Sequence, residues 1–192
     1  MRLAFSADEL KHLALSWAAI SLAFAFLLDI GSLAASFMIA AATVGVGFIV
    51  HELSHKLLAQ HYGCFAEFRA NFSMLGLAVL LAAFAGIVFA APGAVIIRGR
   101  ATLPQYGKIS LMGPLSSLVL ALFFLNFYIF GVGTLKVIGW FGFYINSWLA
   151  LFNLIPFGFF DGAKILRWSK VAYGFTVGFA LLLFFGQIAL TA

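Results

Sequence analysis

The sequence predicts an all-α polytopic membrane protein with about five to six transmembrane helices and a small membrane-associated β-hairpin or re-entrant region around 65–108. Three observations support this fold class. Of the 192 residues, 65% are hydrophobic and only 9% are charged, whereas soluble domains are about half apolar and about one-quarter charged. Several segments contain the roughly 20 apolar residues that a helix needs to cross a bilayer. Long polar insertions do not separate these segments, which favours a single integral-membrane domain over 1–192.

Five segments are long and apolar enough to be transmembrane helices. The first follows the polar start FSADELKH, in which Ser6 is the expected helix N-cap. Because this first apolar stretch is long and lacks a clear A-x-A cleavage site, we expect a retained span rather than a cleavable signal peptide. The segments DIGS (29–32) and FGVGT (130–134) are expected to be turns between spans. The predicted spans are about 13–30, 35–60, 109–130, 137–157 and 171–190.

The region 65–108 is expected to enter the membrane and to leave it on the same face. Its apolar run 74–97 is long enough to cross once, but three glycines and a proline interrupt it. Basic residues flank the run on both sides, and Lys and Arg accumulate in cytoplasmic loops. An interrupted backbone in lipid must pack against protein or line a wet cavity. The flanking basic residues are Arg69, Arg98, Arg100 and Lys108.

Composition argues against several other classes of protein. The formal net charge is +5, but in a membrane protein this excess indicates which loops face the cytoplasm. The aromatic residues are accompanied by no Lys/Arg-rich run, so no nucleic-acid partner is expected. Cys64 is the single cysteine, which excludes an internal disulfide and is expected to be a small buried residue. We therefore expect the lipid bilayer, and not nucleic acid, to be the partner that surrounds this protein.

One helical segment carries ionisable residues at membrane depth. His51-Glu52-Leu53-Ser54-His55 has the pattern H-E-x-x-H and follows the uncharged run SFMIAAATVGVGFIV. Positions i and i+4 lie on one helix face, so two imidazoles can bind one ion while the glutamate acts on a metal-bound water. Ionisable groups inside a membrane span indicate function by default. We therefore predict one Zn²⁺ per chain, with His51 and His55 as ligands and Glu52 in position to act on a metal-bound water.

A catalytic zinc site usually has three protein ligands, so a third is expected. Two acidic residues follow the motif, Glu67 and Asp161. Glu67 lies two residues from Arg69 and is expected to pair with it. Asp161 ends an apolar span that Pro156 interrupts, and it is the better candidate, although an Asp-Gly turn at a helix terminus is the alternative role. Two other histidines are expected at the membrane interface, away from the metal: His12 and His61.

Taken together, these motifs resemble those of the site-2 protease family of intramembrane zinc metalloproteases. H-E-x-x-H is followed by Asn153-x-x-Pro156 and by Asp161-Gly162, which complete the pattern N-x-x-P-x-x-x-x-D-G. The segment SLMGPLSSLVLALFF (110–124) is similar to that family's Gly-Pro-containing third core helix. The resemblance covers about 36–167, which would be the catalytic core, and it extends to no PDZ-like or CBS-like domain.

The resemblance implies an activity and a set of functional residues. The implied activity is zinc-dependent cleavage of transmembrane segments of membrane proteins, with zinc-bound water as the nucleophile. The implied location is a prokaryotic cell membrane, with the active site toward the cytoplasmic side. The implied zinc ligands are His51, His55 and Asp161, and the implied catalytic residue is Glu52. Residues implied to bind substrate or to support the site are Asn153, Pro156 and Gly162.

Two positions are left open by the resemblance. Asn153 could hold substrate or the Asp161 turn, or it could simply satisfy a hydrogen bond between helices. Family members often carry an asparagine shortly after the Gly-Pro pair, where this chain has Ser116-Ser117. The role of that family asparagine therefore does not transfer directly.

The motifs also restrict the topology. His55 and Asp161 each lie toward the C-terminal end of a span and must reach one ion, so those two spans must run in the same direction. The spans at 109–130 and 137–157 supply the required pair of crossings, and 65–108 should then add none. In the resembled family the matching region is a β-hairpin or sheet that presents an edge to substrate. The resemblance suggests 91–99 as one such strand, to which a substrate backbone could add.

Two other classes of function are compatible with the sequence. A metal-binding membrane transporter or channel could use an intramembrane His, Glu and Asp cluster for ion passage. An inactive relative could bind membrane proteins without cutting them. The substrate and the oligomeric state are not readable from the sequence.

Overall fold

The protein is an all-α polytopic membrane protein with a small two-stranded β-sheet among its described residues. The computed structural model describes residues 4–28, 30–88 and 92–191. Within them, five helical segments are long and apolar enough to cross a membrane, which confirms the five spans predicted from the sequence. The helices are α1 (Ala7–Leu27), α2 (Leu33–Ala40), α3 (Val46–His61), α4 (Phe72–Ala85), α5 (Leu103–Phe130), α6 (Thr134–Asn153), α7 (Asp161–Trp168) and α8 (Lys170–Thr191).

The second span combines α2 and α3 into one segment, Leu33–His61, joined by a π-helical turn at Ala41–Gly45. Of the predicted DIGS turn, residue 29 lies outside the described residues. The rest bends into α2, which Ser32 caps by accepting a hydrogen bond from the Ala35 N–H at 3.2 Å. The cap predicted at Ser6 is confirmed, because its hydroxyl accepts from the Glu9 N–H at 3.1 Å.

Local chemistry sets the ends of α5 and α6. Helix α5 begins at Leu103, about two turns earlier than predicted, because Thr102 and Gln105 form a reciprocal capping box. Pro114 therefore lies well inside the helix, whereas the predicted span 109–130 would place it near the helix start. Its ring removes the N–H that would bond the Ser110 carbonyl. Helix α6 ends at Asn153, three residues before Pro156, because the residue preceding a proline disfavours helical geometry.

The region 65–108 contains both a sheet and a helix. Strands β1 (Phe65–Ala70) and β2 (Gly93–Arg98) pair antiparallel, with Phe65 opposite Arg98 and Ala70 opposite Gly93. The chain thus leaves the end of β1, forms α4, and returns to the same end of the sheet. This geometry agrees with the expectation that the region adds no net crossing. The predicted strand at 91–99 is confirmed over Gly93–Arg98, and residue 91 lies outside the described residues.

Small residues let α5 and α6 pack closely. A Cβ at Gly139 would lie 2.6 Å from the backbone carbon of Phe127, and a Cβ at Gly142 would enter the ring of Phe124. The turn between these helices contains Gly131 and Gly133, as predicted. Because α5 is held against α6 on one side, its other side packs against α3. This packing brings the Gly-Pro helix to the H-E-x-x-H motif.

Candidate metal centre

Three buried side chains from two distant segments converge at one point. His51 and His55 lie one turn apart on α3, and Asp161 is the first residue of α7. The Oδ2 atom of Asp161 is 3.3 Å from Nε2 of His51 and 3.0 Å from Nε2 of His55. One potential ligand atom from each of the three residues lies within 4.8 Å of the others. The structure therefore brings together the three residues that the sequence and the resemblance had singled out.

Helix α5 fixes both imidazole rings from behind. Nδ1 of His55 donates to the Ile109 carbonyl at 2.8 Å, and Nδ1 of His51 lies 3.0 Å from the Ser117 hydroxyl. A carbonyl oxygen only accepts, so Nδ1 of His55 carries a proton, and in the neutral imidazole Nε2 is then the nitrogen that can bind a metal. Partners of this kind orient the histidine ligands of metal sites and increase their basicity. Ser117, in the position that the sequence left open, therefore contacts a candidate ligand.

The Asp161 carboxylate is oriented by its own helix and by the turn before it. Its Oδ1 atom accepts from Lys164 Nζ at 3.2 Å, which leaves Oδ2 directed at the imidazoles. A Cβ at Gly162 would collide with the Leu154 carbonyl, so only glycine permits this close approach. The Tyr173 hydroxyl donates to the same carbonyl at 3.0 Å. The end of α6 is thereby held against both α7 and α8, with Pro156 in the loop between α6 and α7.

The space beside the three ligand atoms exists because residue 113 is glycine. A Cβ at Gly113 would lie 2.5 Å from Nε2 of His51 and closer still to Nε2 of His55. Two imidazole nitrogens and one carboxylate oxygen are typical of catalytic zinc sites, in which a fourth position stays open. The chemistry of the donors and the space left by Gly113 fit one zinc ion, with His51, His55 and Asp161 as the residues that would hold it.

A cavity of about 540 Å³ opens onto this site. Glu52 lines it together with the three candidate ligands, and the half-buried Glu52 carboxylate projects from the same turn of α3. Most of the wall is apolar and comes from α3, β2, the end of α6 and the loop between α6 and α7. The largest apolar side chains among its lining residues are Phe48, Phe152, Phe157, Phe159 and Phe160. The site is therefore a mainly apolar cavity with its polar groups gathered at one end.

The remaining residues singled out from the sequence lie in different places. Asn153 lines the cavity, but its Nδ2 donates to the Leu149 carbonyl of its own helix at 3.0 Å. His12 accepts a backbone hydrogen bond from Ala70, and His61 is exposed at the end of α3. Neither histidine belongs to the metal-ligand group found among the described residues.

Glu67, the other acidic residue considered as a ligand, is committed elsewhere. Its Oε2 atom pairs with Arg69 Nη2 at 2.9 Å, which confirms the expected ion pair. The Ser6 hydroxyl also donates to this carboxylate. The Ser6 hydrogen bond, followed by Arg69, lowers the pKa of Glu67 below its ordinary value.

Sequence reasoning missed several supports of the site. They are the Ile109 carbonyl, the space at Gly113, the Ser117 hydroxyl and the Lys164 ammonium group. The first three lie at four-residue spacing on α5, which places them on one helix face. That spacing, matched against His51 and His55 at the same interval, is the signal that could have identified them.

Comparison with known proteins gives one informative match. Over 156 residues, the chain is 42% identical to a protein of Methanocaldococcus jannaschii named "Putative zinc metalloprotease". The aligned residues make up 78% of this chain and 82% of the relative. No protein-family model matches the chain. No solved structure gives a significant match.

Proposed function

Because this chain belongs to the zinc metalloprotease family of its archaeal relative, we propose that it is an intramembrane endopeptidase of the site-2 protease type. Its substrates would be transmembrane segments of membrane proteins, and one zinc ion per chain would be bound by His51, His55 and Asp161. The observation that carries the proposal is the convergence of these buried ligands with Glu52 at the end of a cavity in a multi-span protein.

The chain's own residues have distinct roles in this proposal. A zinc ion at the site would polarise the scissile carbonyl and lower the pKa of a water molecule, so that this water can lose a proton and attack near neutral pH. The Glu52 carboxylate accepts the proton that the attacking water loses and returns a proton to the leaving amine. The Ile109 carbonyl and the Ser117 hydroxyl hold the imidazoles in place. The apolar cavity wall limits access of bulk water around the scissile bond.

One edge of the sheet is suited to hold an extended substrate. On β1, the Phe68 N–H donates to Glu9 at 2.9 Å, so this N–H points away from β2. In an antiparallel pair, the residue directly opposite then also points its N–H and C=O away from its partner. That residue is Val95, and its neighbours at alternate positions, Gly93 and Ile97, share this orientation.

The same three residues of β2 line the cavity. Among the described residues the sheet has two strands, so this edge of β2 is not paired with another strand. A substrate helix hides its carbonyls in internal hydrogen bonds, and it must unwind before it can be cut. Backbone hydrogen bonds along the β2 edge would offset part of that cost.

The distribution of charge supports a cytoplasmic location for the site. The metal-centre end of the bundle contains the start of α1, the end of α3, the sheet, the start of α5, and α7 with the start of α8. Nine of the ten described Lys and Arg residues lie there, and Lys136 lies at the opposite end. Positive charge favours the cytoplasmic side of a membrane. The nine are Lys11, Lys56, Arg69, Arg98, Arg100, Lys108, Lys164, Arg167 and Lys170.

Cleavage by the purified full chain in lipid vesicles tests the proposed function. The substrates are a panel of single-span proteins, including a matched pair whose spans differ only in two central residues, Leu-Leu or Gly-Asn. We expect zinc-dependent cuts within or beside the span, abolished by a chelator and restored by zinc. The Gly-Asn span should be cut faster because it unwinds at lower cost. Fragments that persist after zinc removal, or no cleavage of any substrate, would contradict the proposal.

Labelling of single cysteines tests the proposed orientation. In a Cys64→Ala background, we expect Val132→Cys, in the exposed α5–α6 turn, to react with a membrane-impermeant maleimide added outside intact cells. Arg100→Cys, beside the sheet, should react only after the cells are opened, because it lies at the metal-centre end. The reverse pattern would place the site on the outer side and contradict the proposed location.

A further inference from the structure

A buried ion pair lies outside the metal centre, between α1 and α3. Glu9 Oε2 pairs with Lys56 Nζ, and the side chains are 0% and 1% exposed. The other carboxylate oxygen, Oε1, accepts from the Phe68 N–H of β1 at 2.9 Å. The Phe5 ring lies 4.1 Å from the ammonium group. The Glu9 side chain therefore connects three elements: α1, the metal-binding helix α3, and the sheet.

Stability alone does not account for this pair. Taking two charges out of water carries a large desolvation penalty, and apolar residues of similar volume often give equal or greater stability. What the pair does provide is a fixed geometry. Lys56 directly follows His55 in α3, so the pair ties β1 to the turn that carries a candidate ligand.

The same region closes the outer edge of β1. Besides the bond from Phe68 to Glu9, the Ala70 N–H donates to His12 Nδ1 at 3.2 Å. The Gln60 Nε2 donates to the Ala66 carbonyl at 3.5 Å. Side chains thus occupy backbone groups that would otherwise accept a further strand. An incoming strand is left with the edge of β2, on the cavity side.

We propose that Glu9 is a positioning residue for proteolysis, because it fixes the sheet against α3 so that the β2 edge holds substrate backbone beside the metal centre. This inference rests on the proposed function. Phe68, which Glu9 holds, is directly opposite Val95 on the cavity-lining edge. A loss of the Glu9 acceptor is therefore transmitted across one strand pair to the groups that would bind substrate. The imidazoles keep their bonds to α5 and do not depend on Glu9.

A pair of uncharged double variants isolates the acceptor. Glu9→Gln/Lys56→Gln removes both charges but keeps an amide oxygen that can accept from the Phe68 N–H. Glu9→Leu/Lys56→Met also removes both charges, at similar volume, but leaves that N–H without an acceptor. Each full-length variant is compared with the unaltered chain for zinc content, for KM and kcat on a cleaved single-span substrate, and for hydrogen exchange of the sheet amides.

We expect the Gln/Gln variant to keep its KM within about twofold and to keep protected sheet amides. The Leu/Met variant should show KM raised about tenfold, the size expected for one lost buried hydrogen bond. Its kcat should change less than about threefold, its zinc content should be unchanged, and the amides of β1 and β2 should exchange faster. A general loss of structure would instead lower zinc content and kcat together.

Equal KM values and equal sheet protection in the two double variants would overturn the inference. If the Leu/Met variant does not fold, Glu9→Asp replaces it, because its side chain is too short to reach both Lys56 and the Phe68 N–H. The same KM increase and faster exchange are then expected, and unaltered values would again overturn the inference. Should the unaltered chain cut no substrate, the proposed function fails, while sheet exchange and zinc content still decide whether Glu9 holds β1.

Discussion

Replacing Glu52 with Gln is expected to reduce the cleavage rate about 10²- to 10⁴-fold, the range typical for the loss of a general acid–base catalyst. The substitution keeps the size and polarity of the side chain but removes its ability to accept and return a proton. Glu52 lines the cavity beside the candidate ligands and does not belong to the His51, His55 and Asp161 group. Zinc content should therefore remain at one ion per chain, as measured by metal analysis of the purified variant.

The matched control for this substitution is Glu67→Gln. Glu67 is the next glutamate along the chain after Glu52, but it is paired with Ser6 and Arg69 at the sheet. Its replacement should leave zinc content unchanged and cleavage within a small factor of the original rate. Full cleavage by Glu52→Gln would contradict the proposed role of Glu52. The transporter alternative would be favoured if the unaltered chain cut no substrate and the Glu52→Gln variant still bound zinc and transported it.

Replacing Gly113 with Ala is expected to weaken zinc binding by about 10- to 100-fold, the range seen when groups supporting metal ligands are disturbed, and to abolish cleavage at limiting zinc. The added Cβ would lie 2.5 Å from Nε2 of His51 and closer still to Nε2 of His55. Neither side can easily yield, because α5 also holds both rings through Ile109 and Ser117. Competition with a chromophoric zinc chelator measures the change in affinity.

Gly178→Ala is the matched control, since it makes the same change within α8. No heavy atom lies within 4 Å of a Cβ built at Gly178, so no collision follows. Alanine is the better helix former by about 1 kcal/mol, and this variant should bind zinc normally with equal or slightly higher thermal stability. Zinc affinity for Gly113→Ala equal to that of the control would mean that the glycine does not create the space for the metal.

The predicted and observed structures agree where a signal is local. Hydropathy located all five spans, because burial in lipid requires an uninterrupted apolar segment whatever its neighbours are. The Ser6 cap and the ion pair of Glu67 with Arg69 were also predictable, because each lies within a few residues along the chain. The start of α5 was misplaced, since the capping box at Thr102 lies outside the apolar segment.

The sequence by itself determined the class of protein, the number of spans and the pair of histidines, because helical spacing alone puts His51 and His55 on one face. It ranked Asp161 above Glu67 but could not measure the distance between Asp161 and the motif. Only the tertiary structure brought that carboxylate to 3.0 Å from His55. It also placed Gly113 against both rings and joined Glu9 to Lys56 and Phe68. These contacts join residues tens of positions apart, and they depend on how whole helices pack, which no local pattern of apolar and polar residues specifies.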